Sequence, residues 1–399
     1  MIVLNTMPLR SQCLALTALF ICLSCAGLSG CGPTGHTTIS DPSAQATGFD
    51  WAIPTRYPLP VEPLDNPMTE AKFQLGRHLF YDPRLSGNGS QSCSSCHIQA
   101  LGFSDGRTLP LGSTGEVLAR NAQGLMNAAY NATQTWANPS VLTLEQQALI
   151  PLFSEAPVEH GITDSNRESV LQRIRDEPRY PALFSQAFPD LGDAIEFASI
   201  RNALTSFVRG MVSFNSPFDR FEQGERNTMS ASAHRGRQLF FGEALECFHC
   251  HGGYHLSDST RDRSMTFVDK PFHNTGLFNI AGNGDYPDDN QGIFEISADP
   301  SDMGKFRAPS LRNVAVTAPY MHDGSMASLS EVIDFYAAGG RVIAEGEHAG
   351  DGRMNPFKSG FVTGFEITDG QKADLIAFLE SLTDESFLSN PRFSNPWEE

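Results

Sequence analysis

The stretch Cys93-Ser94-Ser95-Cys96-His97 recurs later in the chain in the same pattern, as Cys247-Phe248-His249-Cys250-His251. The pattern C-x-x-C-H is the attachment motif of c-type haem. Its two thiols form thioether bonds to the porphyrin, and the adjacent histidine can bind the iron from one side. The residues that would hold the groups are Cys93, Cys96 and His97, and Cys247, Cys250 and His251. Two copies of the motif therefore predict two covalently bound c-type haems.

The remaining cysteines argue against a disulfide framework and against zinc. Of the eight cysteines, four lie within the first 31 residues and four form the two motifs. No cysteine downstream of the leader is left to pair. A Cys₄ zinc site is the other alternative, but zinc ligand pairs usually lie much closer together, and such a site would not need the two histidines. Haem attachment is the better interpretation.

The N-terminal residues predict export. Cys13–Leu28 is a short apolar run close to the terminus, which is typical of a signal peptide, here residues 1–30. Its end, Leu28-Ser29-Gly30-Cys31, resembles the lipobox of bacterial lipoproteins, in which cleavage leaves a lipidated cysteine; a spare leader cysteine is the alternative. Residues 31–67 predict a flexible tether and then an extended proline-rich segment. We expect a periplasmic protein that contacts the membrane only through a lipid anchor on Cys31.

Length, composition and charge limit the class of protein. A chain of 399 residues can form two ordinary domains with sizeable cores. Its 40% hydrophobic and 19% charged residues are typical of a soluble globular protein. The net charge of −18 argues against nucleic-acid binding, which requires basic patches. An acidic surface is compatible with a cation site or with a basic partner.

A second repeat lies upstream of each haem motif. Gly76-Arg77-His78-Leu79-Phe80-Tyr81 recurs as Gly236-Arg237-Gln238-Leu239-Phe240-Phe241. The apolar spacing predicts helices and few strands. The expected helices cover residues 69–81, 168–175, 197–214, 329–338 and 368–382. We predict a mainly α fold with two cytochrome-c-like haem domains in tandem, residues 68–225 and 226–399, and long loops around the haems.

Ordered motifs around these repeats resemble the bacterial di-haem cytochrome c peroxidase and MauG superfamily, over roughly residues 68–385. The motifs are Arg120-Asn121, Asn127-Ala128, Trp136, Leu144–Ala148, Pro151, Pro157-Val158-Glu159, Pro309–Asn313, Thr317–Gly324 and Phe335–Gly340. Within the superfamily the chain is most similar to the methanobactin-associated (MbnH-like) di-haem enzymes, which oxidise a tryptophan on a partner protein. The closer similarity rests on Asn66-Pro67-Met68, Trp136–Pro139 and His273–Leu277. The resemblance implies an oxidoreductase with two haems in different roles.

The resemblance implies that the first haem is open. Many peroxidases of the family carry a histidine before the Arg-Asn motif that blocks the first iron until reduction removes it. Here no histidine occurs between His97 and His160, and the corresponding loop Gly112–Leu118 offers no strong iron ligand. We therefore expect a first iron that reacts with peroxide without reductive activation.

Three residues match the family's catalytic positions near the first haem. Glu159 would transfer a proton between the two peroxide oxygens, Gln147 would hydrogen-bond the bound oxygen, and Pro151 would shape the pocket. The spacing from Pro151 to Glu159 is longer than in the usual family pattern. A glutamate on a surface loop is the alternative. The surrounding motifs favour catalysis.

The second haem is expected to have a tyrosine ligand. Peroxidases of the family use a methionine, and the same register counted from Tyr320 leads to Tyr336. An anionic phenolate oxygen favours more oxidised iron, whereas a thioether raises the haem potential. The alternative is a core tyrosine, with Met321 or Met326 as the ligand. We favour His251 and Tyr336 as the two ligands of the second iron.

The resemblance also implies a relay residue and a cation between the haems. Trp136 matches a tryptophan that can relay electrons, although a buried core tryptophan is the alternative. Asn121, Thr317 and Pro319 match an inter-haem calcium site made of an amide oxygen and two backbone carbonyls, and such oxygen donors suit Ca²⁺. We expect packing or surface roles for Trp51, Trp397, His78, His160, His234, His255, His273 and His322.

These features favour a peroxide-dependent enzyme. As the resemblance implies, hydrogen peroxide oxidises the first haem, and both irons then share a high-valent di-haem state. That state oxidises a side chain of a partner protein, a tryptophan, at long range, and we expect the partner to be encoded nearby. The alternatives are a cytochrome c peroxidase that takes electrons from a small cytochrome, and a plain electron carrier. The absent loop histidine and the presence of Tyr336 favour the first function.

Overall fold

The computed structural model of the chain describes residues 49–398. The predicted signal peptide (residues 1–30), the predicted lipidation site Cys31 and the start of the predicted tether lie outside the described residues. Within the described range, no helix is both long enough and apolar enough to cross a membrane.

The described chain is mostly helical with long loops, as the sequence predicts. The α-helices are α1 Glu70–Phe80, α2 Leu144–Phe153, α3 Arg167–Arg175, α4 Tyr180–Ala187, α5 Phe197–Arg209, α6 Pro217–Glu222, α7 Ala231–Phe240, α8 Cys247–His251, α9 Phe294–Ser297, α10 Leu329–Ala338, α11 Asp369–Glu380 and α12 Glu385–Leu388. A small antiparallel sheet pairs β1 Val342–Ile343 with β2 Gly350–Asp351. Serine or threonine side chains cap the first turns of α1, α2, α6, α7, α10 and α11.

The sequence repeat corresponds to a repeated helix crossing. In the first half α1 packs on α5, and in the second half α7 packs on α11. A Cβ atom on Gly76 would lie 1.9 Å from the Ala203 carbonyl oxygen, and one on Gly236 would lie 1.8 Å from the Asp374 carbonyl oxygen. Only glycine permits so close an approach of two backbones. The repeated glycine therefore fixes the same crossing in both halves.

A pair of asparagines repeats the arrangement after each crossing. Asn127 and Asn313 both have a positive φ, of 56°, and each begins a 3-10 turn. The Asn127 side chain accepts from the Ser213 N–H at 2.6 Å, just after α5. The Asn313 side chain accepts from the Asp384 N–H at 2.7 Å, just after α11. Each asparagine ties the loop that follows a haem motif to the helix that closes the unit.

Each haem motif lies against its own hydrophobic core. The first core includes the buried Phe73, and Cys93 packs against it. The second core includes the buried Phe378, and Cys247 packs against it. Each haem motif is therefore anchored by the packing of its first cysteine against a hydrophobic core.

Both ends of the described chain pack on the first core. The segment 51–67 contains no helix, and Trp51 is buried in that core. Phe387 and Phe393, which follow α11, are also members of the first core, and Trp397 packs against it. The C-terminal residues thus return from the second half of the chain to the first.

All the expected helices are present, one of them with a different end, and the structure adds several helices that were not predicted. Helix α5 ends at Arg209, whereas it was predicted to continue to residue 214. The predicted end was wrong because Gly210 ends the helix and the chain then turns, so that residues 211–213 contact Asn127. Helix α2, which contains Pro151, was not among the predicted helices, and neither were α4, α6, α8, α9 and α12. That proline removes one helical hydrogen bond, yet the helix continues through it.

Candidate active site

Two cavities contain the two haem motifs. Residues 93, 96 and 97 line the first cavity, and residues 247, 250 and 251 line the second. Their walls include apolar side chains of the adjoining cores, such as Phe80 and Leu152 in the first and Phe240 and Leu379 in the second. None of the four motif cysteines forms a disulfide within the described residues. The cavities therefore offer what a thioether-linked porphyrin requires, an apolar slot with two thiols at its edge.

The two motif histidines are oriented as iron ligands. His97 Nδ1 donates to the Phe103 carbonyl oxygen at 2.6 Å, and His251 Nδ1 donates to the Leu256 carbonyl oxygen at 3.2 Å. Burial lowers the pKa of both imidazoles, so each is neutral. A neutral ring that donates from Nδ1 keeps the lone pair of Nε2 for a metal. The donor set fits haem iron in both cavities.

Helix α2 and the loop after it bring three candidate residues into the first cavity. Gln147 and Pro151 lie four residues apart on α2, and therefore on the same helical face. The Pro151 carbonyl accepts from the His160 N–H at 2.9 Å, which folds the loop back over the helix. Gln147, Pro151 and Glu159 all line the first cavity together with His97. The longer spacing between Pro151 and Glu159 is accommodated in this loop.

The side chains of Gln147 and Glu159 are unpaired. Within residues 49–398 neither side chain makes a hydrogen bond, although both face the first cavity. Burial raises the pKa of the Glu159 carboxyl to about 7. A group with a pKa near the working pH can both accept and donate a proton. The arrangement provides an amide donor and an acid-base group in one cavity.

The loop Gly112–Leu118 supports Glu159. The Ser113 N–H donates to the Glu159 carbonyl oxygen at 2.8 Å, and of this loop only Leu118 lines the first cavity.

His160, which we expected to be structural, also lines the first cavity. Its Nδ1 donates to the Leu85 carbonyl oxygen at 2.8 Å, and its Nε2 lies 3.8 Å from Cys93 Sγ. The ring therefore sits beside the thioether edge. The sequence feature that could have placed His160 in the first cavity is its position directly after Glu159.

Tyr336 faces the second cavity without a hydrogen-bond partner. Helix α10 carries it, and it lines this cavity together with His251 and Met321, whereas Met326 does not. The chain has eight tyrosines, and the other seven hydroxyl groups all donate hydrogen bonds within the described residues. Burial raises the pKa of the Tyr336 phenol, so only a nearby positive charge would favour its phenolate form. Tyr336 and His251 therefore line one cavity, and the Tyr336 hydroxyl makes no hydrogen bond with the described residues.

A shared wall separates the two cavities. Asn121, Gln123, Asn131 and Trp136 line both cavities. Trp136 Nε1 donates to the Asn121 carbonyl oxygen at 2.8 Å, which fixes the indole in the wall. The wall therefore places an oxidisable ring against both cavities.

Comparison with known proteins identifies the family. The family model described as di-haem cytochrome c peroxidase matches residues 70–227. The chain is 35% identical to the cytochrome-c peroxidase IdrP1 of Denitromonas iodatirespirans, over 86% of this chain and 89% of that protein. It is 33% identical to the methylamine utilization protein MauG of Methylorubrum extorquens, over 92% of this chain and 94% of that protein. The chain belongs to the di-haem cytochrome c peroxidase and MauG family.

Solved structures agree with this membership. A crystal structure of a MauG-like protein associated with microbial copper homeostasis is 52% identical, with a TM-score of 0.86, and the match covers 88% of this chain and 99% of that chain. The di-haem peroxidase BthA from Burkholderia thailandensis has a similar fold, with a TM-score of 0.62 at 19% identity over 82% of this chain and 90% of its own. The predicted family is confirmed. Because members of this family are oxidoreductases, the alternative function of a plain electron carrier is excluded. Membership also implies two c-type haems.

Three uncharged oxygens of residues that line the second cavity accept no hydrogen bond within the described residues. The Asn121 amide nitrogen donates to the Arg107 carbonyl oxygen at 2.8 Å, and its amide oxygen accepts no hydrogen bond from the described residues. The backbone carbonyls of Thr317 and Pro319 also accept none within residues 49–398. All three residues line the second cavity. Uncharged oxygen donors of this kind suit a hard cation such as Ca²⁺.

An ion pair borders the second cavity of this di-haem peroxidase. His273 Nε2 lies 2.6 Å from Asp258 Oδ2, and both residues lie close to Cys250. Although burial acts in the opposite direction, the hydrogen bond to Asp258 raises the pKa of His273 to about 10. We expected a structural or surface role for His273, whereas it lines the second cavity. Its partner Asp258 lies too far away in sequence for the pair to be predicted.

Proposed function

We propose that this protein is an exported enzyme that uses hydrogen peroxide to oxidise a side chain, a tryptophan, of a partner protein at long range. The observation that carries this proposal is Tyr336, a tyrosine in the second cavity whose hydroxyl has no partner among the described residues. An oxygen ligand at this position favours an oxidised second iron over one that accepts electrons from a cytochrome. The unpaired Gln147 and Glu159 in the first cavity support peroxide chemistry there.

Two sets of residues would hold the haems. Thioether bonds would form at Cys93 and Cys96 for the first haem and at Cys247 and Cys250 for the second, with His97 binding the first iron and His251 and Tyr336 binding the second. When bound, the haems supply the redox chemistry, removing electrons from an oxidisable group after one of them has reacted with peroxide. The protein supplies proton transfer, orientation and the path between the sites.

Gln147 and Glu159 would act on the peroxide molecule itself. The Gln147 amide would donate a hydrogen bond to the oxygen nearer the haem and thereby orient the molecule. The Glu159 carboxylate would accept the proton of that oxygen and deliver it to the far oxygen, which then leaves as water. Pro151, on the same face of α2 as Gln147, would limit the space around the two oxygens.

The shared wall would connect the two sites. Trp136 lines both cavities, so its indole could pass electrons from the second site to the first.

We further propose that Asn121, Thr317 and Pro319 bind one calcium ion, which would hold the wall in place. In this proposal residues 68–225 form the peroxidatic haem domain and residues 226–399 the electron-transfer haem domain.

The proposed location is the periplasm, with attachment to the membrane through lipidated Cys31. The support is the leader sequence alone. Replacing Cys31 by serine should move the protein from the membrane fraction to the soluble periplasmic fraction. An unchanged distribution would argue against the lipid anchor and leave export untouched.

A cytochrome c peroxidase that reduces hydrogen peroxide with electrons from a small redox protein is the second candidate. The relative IdrP1 is named a cytochrome-c peroxidase and covers most of this chain. The two functions predict different behaviour of the second haem. A peroxidase needs a second haem of high potential, which methionine would provide and tyrosine would not.

The decisive experiment replaces Tyr336 by phenylalanine. We expect the variant to keep both haems and to react with peroxide, but to change the optical and electron paramagnetic resonance spectra of the second haem. Oxidation of the partner should be lost. Tyr336→Met should raise the potential of the second haem and increase turnover with a reduced cytochrome.

Tyr286→Phe is the matched control. Tyr286 lies in the same hydrophobic cluster as Tyr336, but its hydroxyl donates to Asn274 at 2.8 Å and it does not line the second cavity. This variant should leave the spectrum of the second haem unchanged. If Tyr336→Phe also leaves that spectrum unchanged, another residue is the ligand and the peroxidase function becomes the better proposal.

A further inference from the structure

The C-terminal residues form a strap across the first half of the molecule. We use this name for residues 384–398, which follow α11 and return to α1. Arg392 pairs with Glu70 at 2.6 Å, and the Ser394 carbonyl oxygen accepts from Arg77 Nε at 2.6 Å. Within the strap, Phe387 is 2% exposed. The strap thus contributes Phe387 and Phe393 to the first core and is hydrogen-bonded to α1.

The strap contacts the loop that follows the first haem motif. Gln99 Nε2 donates to the carbonyl oxygens of Phe387 and Asn390, at 3.2 and 2.9 Å. The ring of Phe103 packs edge-on against Phe387, with 5.8 Å between centroids, and against Phe80 on its other side, with 5.9 Å. Two residues of the loop, Gln99 and Phe103, are therefore held by the strap.

Phe103 has an uncommon backbone conformation that needs such support. Its φ is +59°, and it directly follows Gly102, whose φ is +60°. A bulky residue with positive φ is disfavoured and persists only where the surrounding structure over-determines it. This conformation turns the Phe103 carbonyl toward His97 Nδ1 at 2.6 Å. The hydrogen bond to His97 therefore depends on how firmly the Phe103 side chain is clamped.

The second site makes the corresponding contact in a weaker form. Leu256, also with positive φ, accepts from His251 Nδ1 at 3.2 Å. The same Leu256 oxygen accepts from the Leu311 N–H at 3.3 Å, so it is shared between two donors. The Phe103 oxygen accepts only from His97 among the described residues. The strap-supported site thus has the shorter and unshared hydrogen bond.

We infer that the C-terminal strap is a positioning element for His97: through Phe387 and Gln99 it fixes the Phe103 carbonyl against Nδ1 and makes His97 a stronger iron donor than His251. A strong hydrogen bond at Nδ1 raises the basicity of a ligating histidine and fixes its orientation. A more basic ligand stabilises the oxidised iron, which suits the haem that reacts with peroxide. The inference rests on the proposed role of His97 as the first iron ligand.

Two mild substitutions test the inference. Phe387→Leu loosens the clamp on Phe103, and Gln99→Ala removes the two hydrogen bonds to the strap. In the holoprotein we expect both to lower the iron–histidine stretching frequency of the first haem and to raise its reduction potential, with the second haem unchanged. The reaction with peroxide should slow by about tenfold. Arg392→Ala is the control, because it weakens the strap at Glu70, away from Phe103, and should leave both haems unchanged.

The outcomes separate positioning from simple stability. If both variants lower the melting temperature but leave the stretching frequency and potential of the first haem unchanged, the inference is overturned. If Phe387→Leu does not fold, Gln99→Ala decides by the same two measurements. If His97→Gly leaves the spectrum of the first haem unchanged, His97 is not the iron ligand, and the proposed ligand assignment and this inference both fail. This outcome distinguishes a failure of the proposed function from a failure of the strap inference alone.

Discussion

Replacing Glu159 by glutamine should have opposite effects on catalysis and on stability. Glutamine keeps the size of the side chain but cannot exchange a proton between the two peroxide oxygens. Loss of a positioned acid-base group typically slows a reaction by about 10²- to 10⁴-fold. Because the carboxylate is the form that accepts the proton, the wild-type rate should rise with pH through the Glu159 pKa of about 7. The variant should be slow at every pH.

The stability effect follows from the same pKa. Burial raises the pKa of Glu159 from 4.5 to about 7, so the ionised carboxylate destabilises the folded protein. The penalty begins as pH rises above the ordinary value and is complete above pH 7. The full difference corresponds to roughly 3 kcal/mol. Partial exposure to the cavity screens the charge, so we expect about 2 kcal/mol. The variant should gain this amount over wild type at pH 8 and almost nothing at pH 4.5.

Stopped-flow mixing with peroxide measures the reaction rate, and urea unfolding at pH 4.5 and pH 8 measures the effect on stability. Glu155→Gln is the matched control, since Glu155 is an exposed residue of the same loop and should change neither quantity. A wild-type reaction rate in Glu159→Gln would refute the catalytic role. A stability difference that is the same at both pH values would refute the electrostatic reasoning.

Three further substitutions test the haem sites and the repeated frame. Cys93→Ala combined with Cys96→Ala should remove one haem by mass spectrometry and abolish the reaction with peroxide. Trp136→Phe should keep both haems and the first reaction but slow the spectral change of the second haem, measured by stopped flow. Gly76→Ala should lower the free energy of unfolding by about 2 kcal/mol or more, because the new methyl group would meet the Ala203 carbonyl oxygen.

Local signals made some elements predictable to the residue. Helix α10 was predicted at residues 329–338 and is found there, since Ser328 caps its first turn and Gly339 adopts the left-handed conformation that ends it. Helix α2 was not predicted, and its Pro151 is a residue type that normally disfavours a helix interior. The sequence pattern shows the residue types at both ends of a helix but does not show that a central proline will be tolerated.

Contacts between distant parts of the chain were not predictable in the same way. The return of Phe393 to the first core, against Phe73, leaves no local pattern, because it joins residues more than 300 positions apart. The pairing of His273 with Asp258 is of the same kind. The haem motifs could be recognised, and Tyr336 could be proposed as a ligand, because their spacing along the chain is itself the signal. Site residues that depend on a turn of the backbone, such as Phe103, required the structure.

The repeated frame suggests how one ancestral arrangement can give two different haem sites. Helix α2 packs on α5, and α10 packs on α11, so these two ten-residue helices hold equivalent places beside the repeated crossings. The eighth residue of α2 is Pro151 and the eighth residue of α10 is Tyr336, and each lines the cavity of its own half. A proline side chain offers no donor atom to iron, whereas a phenol does. In the proposed mechanism, this helical position would leave the first iron open, because proline offers no ligand, and would close the second iron through Tyr336.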